Sequence, residues 1–127
     1  MIFGVGTDIV DIERIARSVE RNGDKFAERI LAPVEIELYQ KTKNKINYLA
    51  KRFAAKEAVS KALGTGMRQG IDFAQLIISN DEIGKPQVNL ESKALAWAEQ
   101  NKITKIHLSI SDEKKHAVAF AIAESHL

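Results

Sequence analysis

The chain has 127 residues, 45% hydrophobic and 28% charged, which suits one domain (1–127) with its own core. It has no cysteine, which excludes a disulfide framework, a thiolate metal site and a Cys nucleophile. A net charge of +2 argues against a general nucleic-acid binder, no apolar run approaches the ~20 residues that span a membrane, and the N-terminus does not resemble a signal peptide, so a soluble cytoplasmic protein with no nucleic-acid or membrane partner is expected.

Ile2–Gly6 (IFGVG) reads as a short buried strand whose glycines let other backbone approach, with Thr7-Asp8 at its end. Asp11 can cap a helix from Ile12 to about Glu20, with Ile12, Ile15, Ala16 and Val19 on its apolar face. Opposite lie Arg14, Arg17 and Arg21, which read either as a solvated face or as a docking face for an acidic helix or a phosphate. Asp24 is placed to cap a short helical segment through Leu31 that carries Phe26 and Ile30. Pro33 suits the first turn of a further helix to about Thr42, with Val34, Leu38 and Tyr39 inward.

Ile46–Leu63 is rich in Ala, Leu, Lys and Glu and has no Pro, so it reads as a long helix. Gly64-Thr65-Gly66 stops it, since Gly takes the left-handed conformation of a C-cap without steric cost. Leu49, Phe53, Val59 and Leu63 form an apolar arc at helical spacing, and Arg52, Lys56 and Ser60 fall inside that arc. A helix apolar nearly all round is buried, and buried charges need a partner, a metal or a ligand. Arg52, Lys56, Glu57 and Lys61 therefore stand out, although Glu57 and Lys61 also fit an ordinary solvated pair four residues apart.

Beyond a Gly-rich loop at Thr65–Gly70 the period changes. Leu76–Ser79 and Pro86–Leu90 read as a hairpin turning at Asp81–Lys85. Ser92 is expected to cap a helix to about Asn101, with Leu95, Trp97 and Ala98 packing. Lys105–Asp112 alternates Ile106, Leu108 and Ile110 with His107, Ser109 and Ser111, and pairs as a hairpin with His116–Glu124. In the last strand, Ala117, Ala119, Ala121 and Ala123 form a flat face suited to packing on another sheet. The expected class is α+β: a largely antiparallel sheet packed against a long central helix and shorter helices.

Asp8 and Glu57, flanked by Arg52, Lys56 and Lys61, would form a metal-plus-cation clamp for a diphosphate. Magnesium favours few protein carboxylates with water and phosphate oxygens. Gly6-Thr7-Asp8, Glu13-Arg14, Arg52-Phe53-Ala54-Ala55-Lys56-Glu57-Ala58, Lys61-Ala62-Leu63-Gly64, Gly84-Lys85-Pro86 and His107-Leu108-Ser109-Ile110-Ser111-Asp112 together resemble the holo-acyl-carrier-protein synthases, the small bacterial 4′-phosphopantetheinyl transferases. The likeness spans nearly the whole chain.

The resemblance implies transfer of phosphopantetheine from coenzyme A to a serine of apo acyl carrier protein, releasing adenosine 3′,5′-bisphosphate, in fatty acid and lipid biosynthesis. It implies that Asp8 and Glu57 bind Mg2+, and that Lys61 stabilises or protonates the departing phosphate. Arg52 and His107, with Ser109 and Gly64–Gly66 nearby, are implied as nucleotide contacts. Arg14, Arg17, Arg21 and Phe26 are implied to meet the carrier protein, and the assembly is implied to be a homotrimer with sites shared between protomers. Glu35 and a metal-bound water are the candidate bases. Two positions depart from related patterns: Val10 stands where larger relatives carry a third acid, and Asp112 where many members have His. The competing reading is a non-catalytic basic module that binds an acidic protein helix through the arginine stripe.

Overall fold

A 19-residue helix runs through the middle of the protein in the computed structural model, which describes residues 1–126. In chain order the elements are β1 (Ile2–Asp11), α1 (Ile12–Asn22), α2 (Asp24–Ile30), α3 (Pro33–Lys41), α4 (Lys45–Leu63), β2 (Leu76–Asn80), β3 (Pro86–Leu90), α5 (Ser92–Gln100), β4 (Ile103–Asp112) and β5 (His116–Ser125), with a 3-10 turn at Phe73–Gln75. The class is α+β, and every strand pairing is antiparallel: one sheet has the order β1-β5-β4, and β2-β3 is a hairpin.

The central helix, α4, starts where the Asn44 side chain accepts from Asn47 N at 3.1 Å and stops at Gly64, which sits at φ 87°. It is buried nearly all round, as its composition requires. Two glycines bring β1 against it. A Cβ on Gly4 would overlap the carbonyl oxygen of Ala62. One on Gly6 would overlap that of Ala58 and stand 2.8 Å from Ala62 N. The helix backbone therefore lies directly on the strand, and the side chains of α4 next to β1 are fixed by that contact.

β1 runs to Asp11, well past the expected end at Gly6, because β5 offers it a partner along its whole length: Gly6 pairs with Ala121, Asp8 with Ala119 and Val10 with Ala117. Asp8 thus sits inside a strand. By the alternation of side chains it shares the α4-facing side with Gly6 and Val10, while Thr7 and Ile9 point away.

The alanine face of β5 does not await another sheet. Ala117, Ala119, Ala121 and Ala123 are all fully buried on the side that carries α4. Small side chains are what a helix lying this close to a strand can tolerate. The opposite face carries Val5, Ile9, Val118 and Phe120, all exposed, with Phe120 at 45%.

Three further expectations are corrected. On α3 the inward residues are Glu35 and Tyr39, whereas Val34 and Leu38 are about half exposed. Leu95 on α5 is exposed, while Ala98 is buried and Trp97 Nε1 donates to Leu63 O at 2.9 Å. Neither Asp24 nor Ser92 is a side-chain cap. Each is the first residue of its helix, and the start of α5 is served by Gln75 Oε1, which accepts from Ala94 N at 2.9 Å.

Candidate active site

Asp8 on β1 and Glu57 on α4 line one cleft of about 240 Å³, together with Val10, Arg14, Ile15, Phe26 and Phe53. The Gly6 contact places this part of α4 against β1, which is why residues 49 positions apart in sequence come together. Lys61, one turn beyond Glu57, donates from Nζ to Thr7 O at 2.8 Å and lies 3.2 Å from Asp8 Oδ1. Phe26, Phe53 and Phe73 form a stacked row, with ring centroids 6.4 and 5.4 Å apart, and the first two wall the cleft. Phe53 was not singled out in the sequence as a site residue, yet it precedes Glu57 by four on the same helix, a spacing that puts both on one side.

Partial burial pushes the Glu57 carboxyl above the ordinary glutamate range, and the charge of Asp8 adds to this while Lys61 opposes it. Two carboxylates sharing a half-buried cleft are hard oxygen donors that want a cation between them. No cluster of three or more His, Cys, Asp or Glu suited to a metal exists among the described residues. Val10, at the position of a possible third acid, is 7% exposed and part of the core. A magnesium ion, which keeps waters and takes substrate phosphate oxygens, fits such a sparse donor set.

The Glu57 shift has a consequence for folding. Its pKa is higher folded than unfolded, so Glu57 favours the fold while neutral and loses that contribution as pH rises through its folded pKa. Glu57→Gln should therefore be more stable than the parent near neutral pH. The difference should vanish below the ordinary glutamate range, where both states are protonated. Urea midpoints at the two pH values check this, and equal midpoints at neutral pH would contradict it.

Lys56 belongs to the core and cannot clamp a ligand. Its Nζ is fully buried, donates to Ile30 O at 2.7 Å and Phe73 O at 3.0 Å, and pairs with Glu35 Oε1. Burial pushes the Lys56 pKa down, and Glu35 opposes that. Glu35 is equally unsuited to act as a base. It is 1% exposed, with Oε1 also accepting from Ala32 N at 2.8 Å and Oε2 from Ile78 N at 3.0 Å. Both corrections have one cause: the two charges neutralise each other where α3, α4 and β2 meet.

The remaining nucleotide candidates lie apart from the cleft. Arg52 is 6% exposed, with Cζ 4.8 Å over the Tyr48 ring and Nε 3.5 Å from Glu35 Oε2. It borders a separate hollow of about 200 Å³ with Lys51 and Asp112, and Asp112 accepts from Asn47 Nδ2 at 2.9 Å. Gly64 and Gly66 form the stop of α4. His107 and Ser109 are exposed on β4, alternating with buried Leu108, and so lie on the sheet face opposite Asp8. His107 Nε2 lies 2.8 Å from Glu124 Oε1, and that hydrogen bond holds the Glu124 carboxyl below the ordinary range. Of the arginine stripe, Arg14 lines the cleft, Arg17 lies 3.4 Å from Glu13 and Arg21 is exposed in the last turn of α1.

Comparison with known proteins agrees with this architecture. Residues 4–121 match the model of the 4′-phosphopantetheinyl transferase superfamily. A protein named holo-[acyl-carrier-protein] synthase from Aliivibrio fischeri is 56% identical over 124 residues, covering 98% of each chain. The crystal structure of holo-[acyl-carrier-protein] synthase from Neisseria meningitidis superposes with a TM-score of 0.93 at 45% identity, over 98% of this chain and 100% of that one. The Helicobacter pylori synthase in complex with coenzyme A gives 0.83 at 36% identity, over 94% of this chain and 99% of that one. The chain belongs to the 4′-phosphopantetheinyl transferase superfamily and, within it, to the holo-[acyl-carrier-protein] synthases.

Proposed function

We propose that the chain transfers 4′-phosphopantetheine from coenzyme A to a serine of apo acyl carrier protein, with magnesium held by Asp8 and Glu57. The observation that carries this is the cleft itself, where two carboxylates, a half-exposed lysine and an arginine of the α1 stripe converge in front of an aromatic wall. A divalent cation bound by the two carboxylates would neutralise diphosphate charge during attack. The serine oxygen forms its bond to the β-phosphorus as the bond to the nucleotide phosphate breaks. The serine proton passes to water, and Lys61 offsets the charge that builds on the departing phosphate oxygen. Phe26 and Phe53 exclude water from one side. The test is incubation of the protein with coenzyme A, magnesium and apo carrier protein, followed by the mass of the carrier.

The arginines support an acidic partner rather than a purely solvated face, since Arg14 opens directly onto the cleft and Arg21 lies on the same exposed helix. Arg14→Glu with Arg21→Glu should weaken carrier binding by about tenfold or more at low salt, and far more than it weakens coenzyme A binding. Titrating the labelled carrier against parent and variant reads this directly. Unchanged carrier affinity would leave the arginines as a solvated face.

The same reading includes a homotrimer. Asp8 and His107 face opposite sides of one sheet, so a single chain does not present both to one ligand, and the outer sheet face offers Val5, Ile9, Val118 and Phe120 for burial. Inactive Asp8→Ala chains and inactive His107→Ala chains, unfolded together and reassembled, should regain activity through mixed trimers that contain an intact site. A fully active monomer in sedimentation would contradict the shared site.

A further inference from the structure

We propose that Lys61 is a place-holder for the cation of the Asp8–Glu57 cleft: its ammonium occupies Asp8 in the free protein and moves to the substrate phosphates when the site is loaded. The inference rests on the magnesium reading given above. It goes further in making one lysine a link between cation binding and coenzyme A binding.

The geometry points to a side chain fixed at its root and half exposed to solvent beyond it. Lys61 Cβ lies 2.8 Å from where a Cβ on Gly6 would stand, so the strand holds the base of the side chain. The side chain is nevertheless 48% exposed, and among the described residues its Nζ is held by Thr7 O and Asp8 Oδ1 alone. Asp8 by contrast is 18% exposed, so the lysine covers the carboxylate that a cation would need. Glu57, one turn back on α4, is held by no lysine or arginine at salt-bridge distance among the described residues. The free cleft thus holds two carboxylates with one ammonium in direct contact, on Asp8, and the Arg14 guanidinium in its lining.

An ammonium 3.2 Å from Asp8 Oδ1 and a divalent cation on the same carboxylate would repel each other at short range. The lysine must leave Asp8 for the cation to bind there, and in the free protein it then keeps Thr7 O and water but gains no new anionic partner. The diphosphate of coenzyme A changes that, because its oxygens give the displaced ammonium a new anionic partner. Cation and coenzyme A should therefore bind with positive coupling, and Lys61 should add a share of it beyond the ligation of the cation by the phosphate oxygens.

The test measures Mn2+ binding by the loss of the free-ion spin-resonance signal, with and without coenzyme A, for the parent, Lys61→Met, Lys61→Gln and Asp8→Asn. Lys61→Met and Lys61→Gln should bind Mn2+ alone about tenfold more tightly than the parent, and the tightening of Mn2+ by coenzyme A should be about tenfold smaller in them than in the parent. Use of two lysine variants guards against a local packing effect of either. Lysine variants that bind Mn2+ no more tightly than the parent would overturn the place-holder while leaving the metal site intact. Asp8→Asn binding Mn2+ as well as the parent does would instead overturn the metal site, and the proposal with it.

Discussion

Lys56→Met should lower the stability of the protein by about 3–5 kcal/mol, because it leaves the Glu35 carboxylate charged in the core without its principal counter-ion. At roughly 4 °C per kcal/mol for a domain of this size, the melting temperature should fall by about 10 °C or more. Glu35 would keep Ala32 N and Ile78 N as donors, but the nearest remaining cation, Arg52 Nε, stands 3.5 Å away. The change would also orphan Ile30 O and Phe73 O, which now accept from Lys56. Adding Glu35→Gln should recover part of the loss, since it removes the stranded charge and keeps an acceptor. Urea unfolding of the parent and the two variants checks this. A loss below about 1 kcal/mol, within the range of ordinary substitutions, would show that the pair does not brace the fold. If instead Lys56 served the substrate, its replacement would raise the Michaelis constant for coenzyme A and spare stability.

Asp8→Ala and Glu57→Ala should each reduce transfer by about a hundred- to a thousandfold, the scale seen when an electrostatic contact to a developing charge is removed. The fold should survive both changes. Asp8 carries no backbone cap, and its bonded partner Lys61 is half exposed and can return to water. Glu57→Ala removes a carboxyl whose ionisation folding already disfavours. Loss of function without loss of stability separates these residues from Lys56, where the opposite pattern is expected.

Much of this contrast was legible along the chain, and the rest depended on contacts no local pattern encodes. The α4 helix and its glycine stop follow from uninterrupted propensity and period. The arc holding Arg52, Lys56 and Ser60 correctly marked them as buried. What Lys56 pairs with could not be read there, because Glu35 lies 21 residues earlier on a separate helix. Hydropathy favours turning Val34 and Leu38 of α3 inward, but neutralising a buried ammonium is worth more than covering two half-exposed aliphatic side chains, so Glu35 faces inward instead. A similar contest decides β5. Alternation separates alanines from Val118, Phe120 and Ile122, but either face could be the covered one. The close approach of α4 through Gly4 and Gly6 leaves room only for the small side chains. Asp8 and Glu57 stood out as carboxylates set among cations, their metal role came from the resemblance, and the structure brings the two to one cleft. The opposite-facing position of His107 follows from strand pairing alone and could have been drawn from the alternation of β4.

The most direct measurement is the mass of apo acyl carrier protein after incubation with coenzyme A, magnesium and each of three proteins of matched fold: parent, Asp8→Ala and Glu57→Ala. The parent should convert the carrier to a species heavier by one phosphopantetheine group, while both variants leave it unchanged on the same time scale. A carrier unmodified by the parent, or modified equally well by either variant, would contradict the assignment of this cleft as the site of transfer.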